Sequence, residues 1–127
     1  MDISESQRDP LTGLLNRLGL AAALQEFDTL GRRGLTLFSV QIARFGHINS
    51  SLGGEIADRI ITLTARRLQK TFPNALHIAR THGDHFCLLF EGLDTVEETI
   101  ERLEDFTRRP FAVQGEIIVL SVRCGVA

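Results

Sequence analysis

The chain has 127 residues, of which 43% are hydrophobic and 24% charged, and its net charge is −2. This length and balance predict one globular domain with its own core, and they exclude disordered and fibrous classes. Acidic and basic residues are interspersed, which argues against a nucleic-acid-binding patch or a polybasic membrane-binding stripe. Because the sequence has no apolar signal core and no apolar run of membrane-spanning length, we expect a cytoplasmic protein.

The first half of the chain predicts a linker end, two helices and a strand. Residues 1–8 are polar and are expected to end a linker, so that the domain occupies 9–127. A helix is predicted over 16–30, with Asn16 as its amino-terminal cap and glycines after its last turn. A strand over 35–43 follows, with alternate apolar residues on one face. A second amphipathic helix is predicted from residue 54 to residue 70.

The second half predicts two hairpins separated by a helix. Two apolar runs within 76–90 are joined by a tight turn at Gly83 and Asp84. A helix over 94–109 opens with a capping box and closes before a proline. A second hairpin over 111–127 ends the chain. This order predicts an α/β (α+β) fold with a mixed central β-sheet flanked by helices.

Two motifs resemble a known family. The opening motif of GGDEF domains, the diguanylate cyclases, is matched at Asp9, Leu11, Thr12, Gly13, Leu14, Asn16 and Arg17. At the expected distance downstream, residues 82–86 read His-Gly-Asp-His-Phe and resemble the hairpin that names the family. The resemblance covers 9–127 and implies a nucleotidyl-cyclase-like, ferredoxin-like GGDEF fold. It also implies that the last helix and strand of the family lie beyond residue 127.

The resemblance implies a chemistry that this chain has partly lost. Active members join two GTP molecules into cyclic di-GMP, using divalent metal ions to neutralise charge and activate the nucleophile. The first strand of the family ends in a pattern like Asp-x-Asp-x-Phe-Lys, whereas here Gln41 and Ala43 replace both acids. In the hairpin, His82 and His85 flank the one remaining acid, Asp84.

Asp84 is therefore predicted to be a remnant of the catalytic and metal site. Magnesium prefers several hard oxygen ligands, so its binding is expected to be weakened here. A turn aspartate that bonds its own backbone is an equally open interpretation of Asp84.

Base recognition is expected to survive. Residues 45–58 resemble the loop and helix start with which the family grips guanine, and both matching polar residues, Asn49 and Asp58, are present. A carboxylate accepts hydrogen bonds from the N1 and N2 hydrogens of guanine, while an amide can hydrogen-bond to the remaining edge of the base. Phe45, Gly46 and Gly83 complete the nucleotide-binding residues that the resemblance implies. The alternative is that Asn49 caps a turn and Asp58 faces solvent.

These observations predict a degenerate GGDEF domain of a bacterial cyclic di-GMP signalling protein. Such a domain would be catalytically inactive and act as a regulatory GTP-binding or dimerisation module. The resemblance also implies an EAL phosphodiesterase or a sensor domain in the same chain, and a homodimer is compatible with this role. Two alternatives stay open: a working diguanylate cyclase that uses Gln41 as an unusual ligand beside Asp84, and a structural domain without a ligand.

Overall fold

A computed structural model describes residues 4–31, 34–92 and 96–126 of the chain, without the side chains of 122–126. A short 3₁₀ helix at Glu5–Gln7 precedes the α-helices. The α-helices are α1 (Arg17–Thr29), α2 (Phe45–Leu52), α3 (Gly54–Thr71) and α4 (Val96–Thr107). The strands are β1 (Leu35–Ile42), β2 (His77–His82), β3 (His85–Glu91), β4 (Phe111–Val113), β5 (Glu116–Ile118) and β6 (Leu120–Val126). Among the described helices, none combines the length and apolar character needed to cross a bilayer.

The central sheet has four strands in the order β2-β3-β1-β6. β1 lies in the middle and pairs antiparallel with both β3 and β6. β4 and β5 form a separate two-stranded hairpin. One isolated parallel bridge joins Leu15 to Ala79 at the edge strand β2, beside the otherwise antiparallel ladders. A sheet interleaved with helices confirms the predicted α/β fold class.

The core lies between the sheet, α3 and α4. The side chains of Phe38, Val40 and Ile42 alternate along β1 and are fully buried, as the period of two in a strand requires. Ile60 and Leu68 of α3 belong to the same buried cluster. Each such apolar side chain contributes about 1.5–3 kcal/mol through removal from water. This packing fixes β1, and therefore the residues at its carboxyl end.

The amino-terminal segment is held against α1. The side chain of Asn16 accepts a hydrogen bond from the Gly19 amide at 2.9 Å, which confirms the predicted helix start. The backbone amide of Asn16 donates to the carbonyl oxygen of Gln7 at 2.9 Å. A side chain at Gly19 would collide with that same oxygen. Residues 4–8 thus contact the domain, and the linker boundary at residue 8 stays a prediction.

The structure differs from the sequence-based expectations in three places. The run after β1 contains a complete helix, α2, which was expected only as a loop before the helix at residue 54. β1 ends at Ile42 because Arg44 adopts a left-handed backbone conformation, with φ 58°. The predicted final strand is divided into β5 and β6 at Val119, whose carbonyl oxygen accepts from the Ala43 amide at 2.9 Å. The predicted capping box at 94–97 begins outside the described residues.

Candidate functional site

The β2–β3 turn lies at the carboxyl end of β1. The amide of Ile42 donates to the carbonyl oxygen of Asp84 at 3.2 Å, which ties the turn to the end of that strand. Gly83 has φ 45°, a conformation that favours glycine. On the other side of the turn, the Nε of Arg80 donates to the carbonyl oxygen of Gly83 at 2.8 Å. The predicted hairpin is thereby confirmed, and its tip is held from both sides.

Arg80 connects this turn to the opening motif. Its guanidinium donates to both carboxylate oxygens of Asp9, at 3.0 and 3.2 Å. The amide and hydroxyl of Thr12 also donate to Asp9, at 2.9 and 2.7 Å. Burial alone would raise the pKa of Asp9, but the Thr12 hydrogen bonds and the Arg80 charge outweigh it and hold that pKa below its usual range. The two motifs therefore form one structural unit.

The Asp84 carboxylate is engaged by two side chains. The Nε2 of Gln41 donates to its Oδ2 at 3.2 Å. The Nε2 of His85 lies 3.6 Å from its Oδ1. An ionised carboxylate only accepts hydrogen bonds, so the amide nitrogen of Gln41, and not its oxygen, faces Asp84. Gln41 thus presents a donor at the position where the family pattern has an acid.

His82 and His85 stack on each other at the hairpin tip. Their ring centroids are 4.3 Å apart and the planes differ by 18°. In stacked rings the nitrogen lone pairs lie in parallel planes and do not converge on one point. Across the part of the chain that the structure describes, no group of three His, Cys, Asp or Glu side chains is arranged to hold a metal ion.

The residues expected to bind a nucleotide lie on α2 and α3. Asn49 is exposed within α2, and Asp58 is exposed within α3. The two helices meet at Gly53, whose φ of 88° requires glycine and whose amide donates to the Asn49 carbonyl oxygen at 3.1 Å. The side chains of Asn49 and Asp58 make no hydrogen bond or ion pair to any other described residue.

Phe45 and Gly46 begin α2, only three residues after the end of β1. Phe45 is half-buried and packs on the core, whereas Gly46 is exposed. A Cβ atom added at Gly46 or at Gly83 would meet no atom within 4 Å, so both glycines border open space. Of the predicted residues, Phe45, Gly46 and Asp84 therefore lie around the carboxyl end of β1.

Sequence reasoning missed two contacts at this site. It noted Arg80 only as part of an apolar run, although Arg80 is the link between Asp9 and the turn. It also considered Gln41 only as a replaced acid or an unusual metal ligand, and missed its hydrogen bond to Asp84. A lone basic residue before a Gly-Asp turn was the only local signal for the first contact. No local signal existed for the second.

The sequence profile described as "Diguanylate cyclase, GGDEF domain" matches residues 6–127. The chain belongs to the GGDEF domain family. Diguanylate cyclase DgcP of Pseudomonas aeruginosa is 33% identical over 124 residues, which cover 93% of this GGDEF domain and 18% of DgcP. Cyclic di-GMP phosphodiesterase NbdA of the same organism is 29% identical over 124 residues, covering 94% of this chain and 16% of NbdA. This GGDEF domain thus spans less than a fifth of either relative.

Solved structures give the same result for the fold. The diguanylate cyclase SiaD of Pseudomonas aeruginosa, solved in complex with its activator SiaC, superposes with a TM-score of 0.78 and 28% identity. The match covers 95% of this GGDEF domain and 49% of that chain. The FimX GGDEF domain from the same organism has a TM-score of 0.75 at 22% identity, over 98% of this chain and 80% of that one. The predicted GGDEF fold is confirmed.

Proposed function

We propose that this GGDEF domain is a degenerate member of its family, which binds a guanine nucleotide without condensing GTP. It would act as a regulatory or dimerisation module within a cyclic di-GMP signalling protein. The observation that carries the proposal is the hydrogen bond from the Gln41 amide to the Asp84 carboxylate. That bond occupies the one acid that remains at the position where the family binds metal.

The residues at this site do not fit a magnesium ion. Magnesium takes hard oxygen ligands in near-octahedral geometry, and an amide N–H group cannot serve as one. If Gln41 turned its oxygen toward a metal, Asp84 would lose a hydrogen bond to a charged group, worth about 1.5–3 kcal/mol. Ala43 supplies a methyl group at the position of the second acid. A weakened site of this kind would leave Asp84 as a structural remnant of the catalytic centre.

Guanine recognition is supported by the exposed amide and carboxylate of α2 and α3. Asn49 and Asp58 are both exposed and unengaged by other described side chains. Their chemistry suits the donor and acceptor edge of guanine. Gly46 and Gly83 border open space that would admit the rest of the nucleotide. Phe45 would support these residues by anchoring the start of α2 on the core.

The wider protein is part of the proposal. In NbdA, a phosphodiesterase by name, the segment similar to this chain is only 16% of the whole length. We therefore infer that this GGDEF domain belongs to a longer signalling chain with an EAL phosphodiesterase or a sensor domain. Because GTP is a cytoplasmic nucleotide, we place the domain in the cytoplasm.

Calorimetry with GTP and a cyclase assay test the proposal together. We expect GTP to bind with nearly equal affinity with and without magnesium, and no cyclic di-GMP to form with magnesium or manganese. Asn49→Ala and Asp58→Ala should each weaken GTP binding about tenfold, as the loss of one hydrogen bond to the base predicts. Asn74→Ala, in the turn beyond the carboxyl end of α3, and Asp28→Ala, on α1, change the same residue types at exposed positions and are the matched controls.

Three results would contradict the proposal. Robust cyclic di-GMP synthesis would establish the alternative, a working cyclase with Gln41 as a ligand. Absence of GTP and GDP binding at millimolar concentration would leave a structural domain without a ligand. If GTP affinity is unchanged in Asn49→Ala and Asp58→Ala, the nucleotide binds at another surface.

A further inference from the structure

The second half of α3 and the end of α4 form a surface with Arg67 at its centre. The Cζ atom of Arg67 lies 4.7 Å from the ring centroid of Phe111 and 5.7 Å from that of Phe106. The ring of Phe106 also meets the ring of Phe72, directly after the end of α3, with centroids 6.1 Å apart. The carboxyl-terminal part of α3 therefore lies beside the end of α4 and the start of β4.

Other basic residues of α3 lie next to Arg67. Lys70 comes three residues after Arg67 and four after Arg66, and this spacing makes side chains neighbours on a helix surface. Arg66 and Lys70 are exposed, and Arg67 is half-buried. Beyond Asp58, the sequence of α3 contains no acidic residue. The second half of α3 therefore carries only positive charge.

The end of α4 adds two more cations near the same aromatic contacts. Arg102 lies four residues before Phe106, one helical turn away. Arg109 follows Phe106, and its amide donates to the Phe106 carbonyl oxygen at 3.3 Å, which continues the turn. Both arginines are exposed. We call the following five residues the α3–α4 basic surface: Arg66, Arg67, Lys70, Arg102 and Arg109.

The charges of the α3–α4 basic surface are available to an external anion. Counting the side chains that the structure describes, only Arg109 of this surface has an ionic partner, Asp105, at 3.3 Å. The side chains of that pair are 72% and 55% exposed, so the pair is weak and exchanges readily with water. The surface is therefore positive although the whole chain has a net charge of −2.

Arg67 supplies the most specific donor of this surface. The rings of Phe106 and Phe111 restrict its guanidinium through cation–π contacts. A planar guanidinium presents paired N–H groups that match the two oxygens of a carboxylate. Because the rings already limit the motion of Arg67, binding an anion there costs less side-chain entropy than at a mobile arginine.

The charges around this surface favour a short acidic segment over an extended polyanion. α4 also carries exposed acidic residues, namely Glu97, Glu98, Glu101, Glu104 and Asp105. These acids would repel a nucleic-acid backbone or an anionic membrane that extended beyond the five cations. A segment with a few carboxylates can contact the cations and avoid the acids.

We propose that the α3–α4 basic surface binds a short carboxylate-rich segment of a partner protein. Arg67 holds one carboxylate through paired N–H donors, and the other four cations attract its neighbours. This contact goes beyond the proposed nucleotide binding. Asp58 lies nine residues before Arg67 on α3, a distance of about 14 Å along the helix axis, so the two sites are separate.

Fluorescence anisotropy with a labelled hexaglutamate peptide tests the proposal on the 127-residue chain. At about 20 mM salt, where screening is weak, we expect the peptide to bind with a dissociation constant below about 1 mM. Lys70→Glu and Arg102→Glu should each weaken binding about fivefold or more, because an attractive charge becomes repulsive. Arg17→Glu, an equal charge change at an exposed position on α1, is the matched control and should change the affinity less than twofold.

Arg67→Lys separates the donor geometry from the charge. It keeps the positive charge and removes the paired donors, so it should weaken peptide binding about threefold or more. Thermal melting followed by circular dichroism checks the fold of every variant, and GTP affinity in Lys70→Glu and Arg102→Glu should equal that of the parent chain. If Arg67→Lys does not fold, Lys70→Glu and Arg102→Glu still decide the question.

Three results would overturn the proposal. The first is no binding of hexaglutamate at about 1 mM peptide in low salt. The second is a loss of affinity in Lys70→Glu and Arg102→Glu that is no larger than the loss in Arg17→Glu. The third is tighter binding of a single-stranded RNA of equal charge, or of vesicles containing phosphatidylglycerol, since either would assign the surface to a different class of partner.

Discussion

The ion pair between Asp9 and Arg80 supports a prediction about stability and its pH dependence. Asp9 and Arg80 are 71 residues apart in sequence, and their side chains are only 13% and 17% exposed. Asp9→Asn keeps the shape of the side chain and removes its charge. The guanidinium of Arg80 would then lie largely buried without its anion, while its hydrogen bond to Gly83 holds it in place.

We expect Asp9→Asn to lower the free energy of unfolding by about 2–3 kcal/mol at pH 7. The range is that of a charge-assisted hydrogen bond lost in a partly desolvated site. For a domain of this length, the melting temperature should fall by about 5–10 °C. Urea unfolding measures the free energy directly. Asp105→Asn is the matched control, because its ion pair with Arg109 is exposed on α4 and is worth only a few tenths of a kcal/mol.

The pH dependence follows from the lowered pKa of Asp9. A carboxyl group whose pKa is lower in the folded chain contributes its stability above the unfolded pKa, whose ordinary value is 3.8. That contribution is lost as the pH falls through the folded pKa. The difference in unfolding free energy between the parent chain and Asp9→Asn should therefore shrink below about pH 4. A difference that stays constant between pH 7 and pH 2.5, or one indistinguishable from that of Asp105→Asn, would refute the reasoning.

Three further predictions concern single residues. Gly19→Ala should destabilise the fold by about 1–3 kcal/mol in urea unfolding, because its methyl group meets the Gln7 carbonyl oxygen; an unchanged midpoint would contradict this. Gln41→Asp should raise manganese affinity, followed by electron paramagnetic resonance, by about tenfold or more, since it adds a carboxylate beside Asp84. No gain would mean that the amide does not block the site. Burial lowers the pKa of His77, so NMR should show its imidazole titrating below pH 6.5. Because the folded chain disfavours the protonated imidazole, protonation of His77 should lower the free energy of unfolding as the pH falls. A titration midpoint at or above 6.5 would contradict this.

The sequence by itself determined the elements whose signals are local. Asn16 marked the start of α1, alternation identified the buried face of β1, and the Gly83-Asp84 pair located the hairpin turn. These signals suffice because capping, pleating and tight turns each depend on residues only a few positions apart. The resemblance of two short motifs identified the family for the same reason.

Only the tertiary structure decided which distant groups meet. Gln41 and Asp84 are 43 residues apart, and their hydrogen bond depends on the antiparallel register of β1 and β3. The break at Val119 likewise follows from a backbone contact with Ala43 across the chain. Such pairings depend on how packed elements are positioned, which no periodicity within a single segment encodes. The proposed loss of metal binding rests on that register.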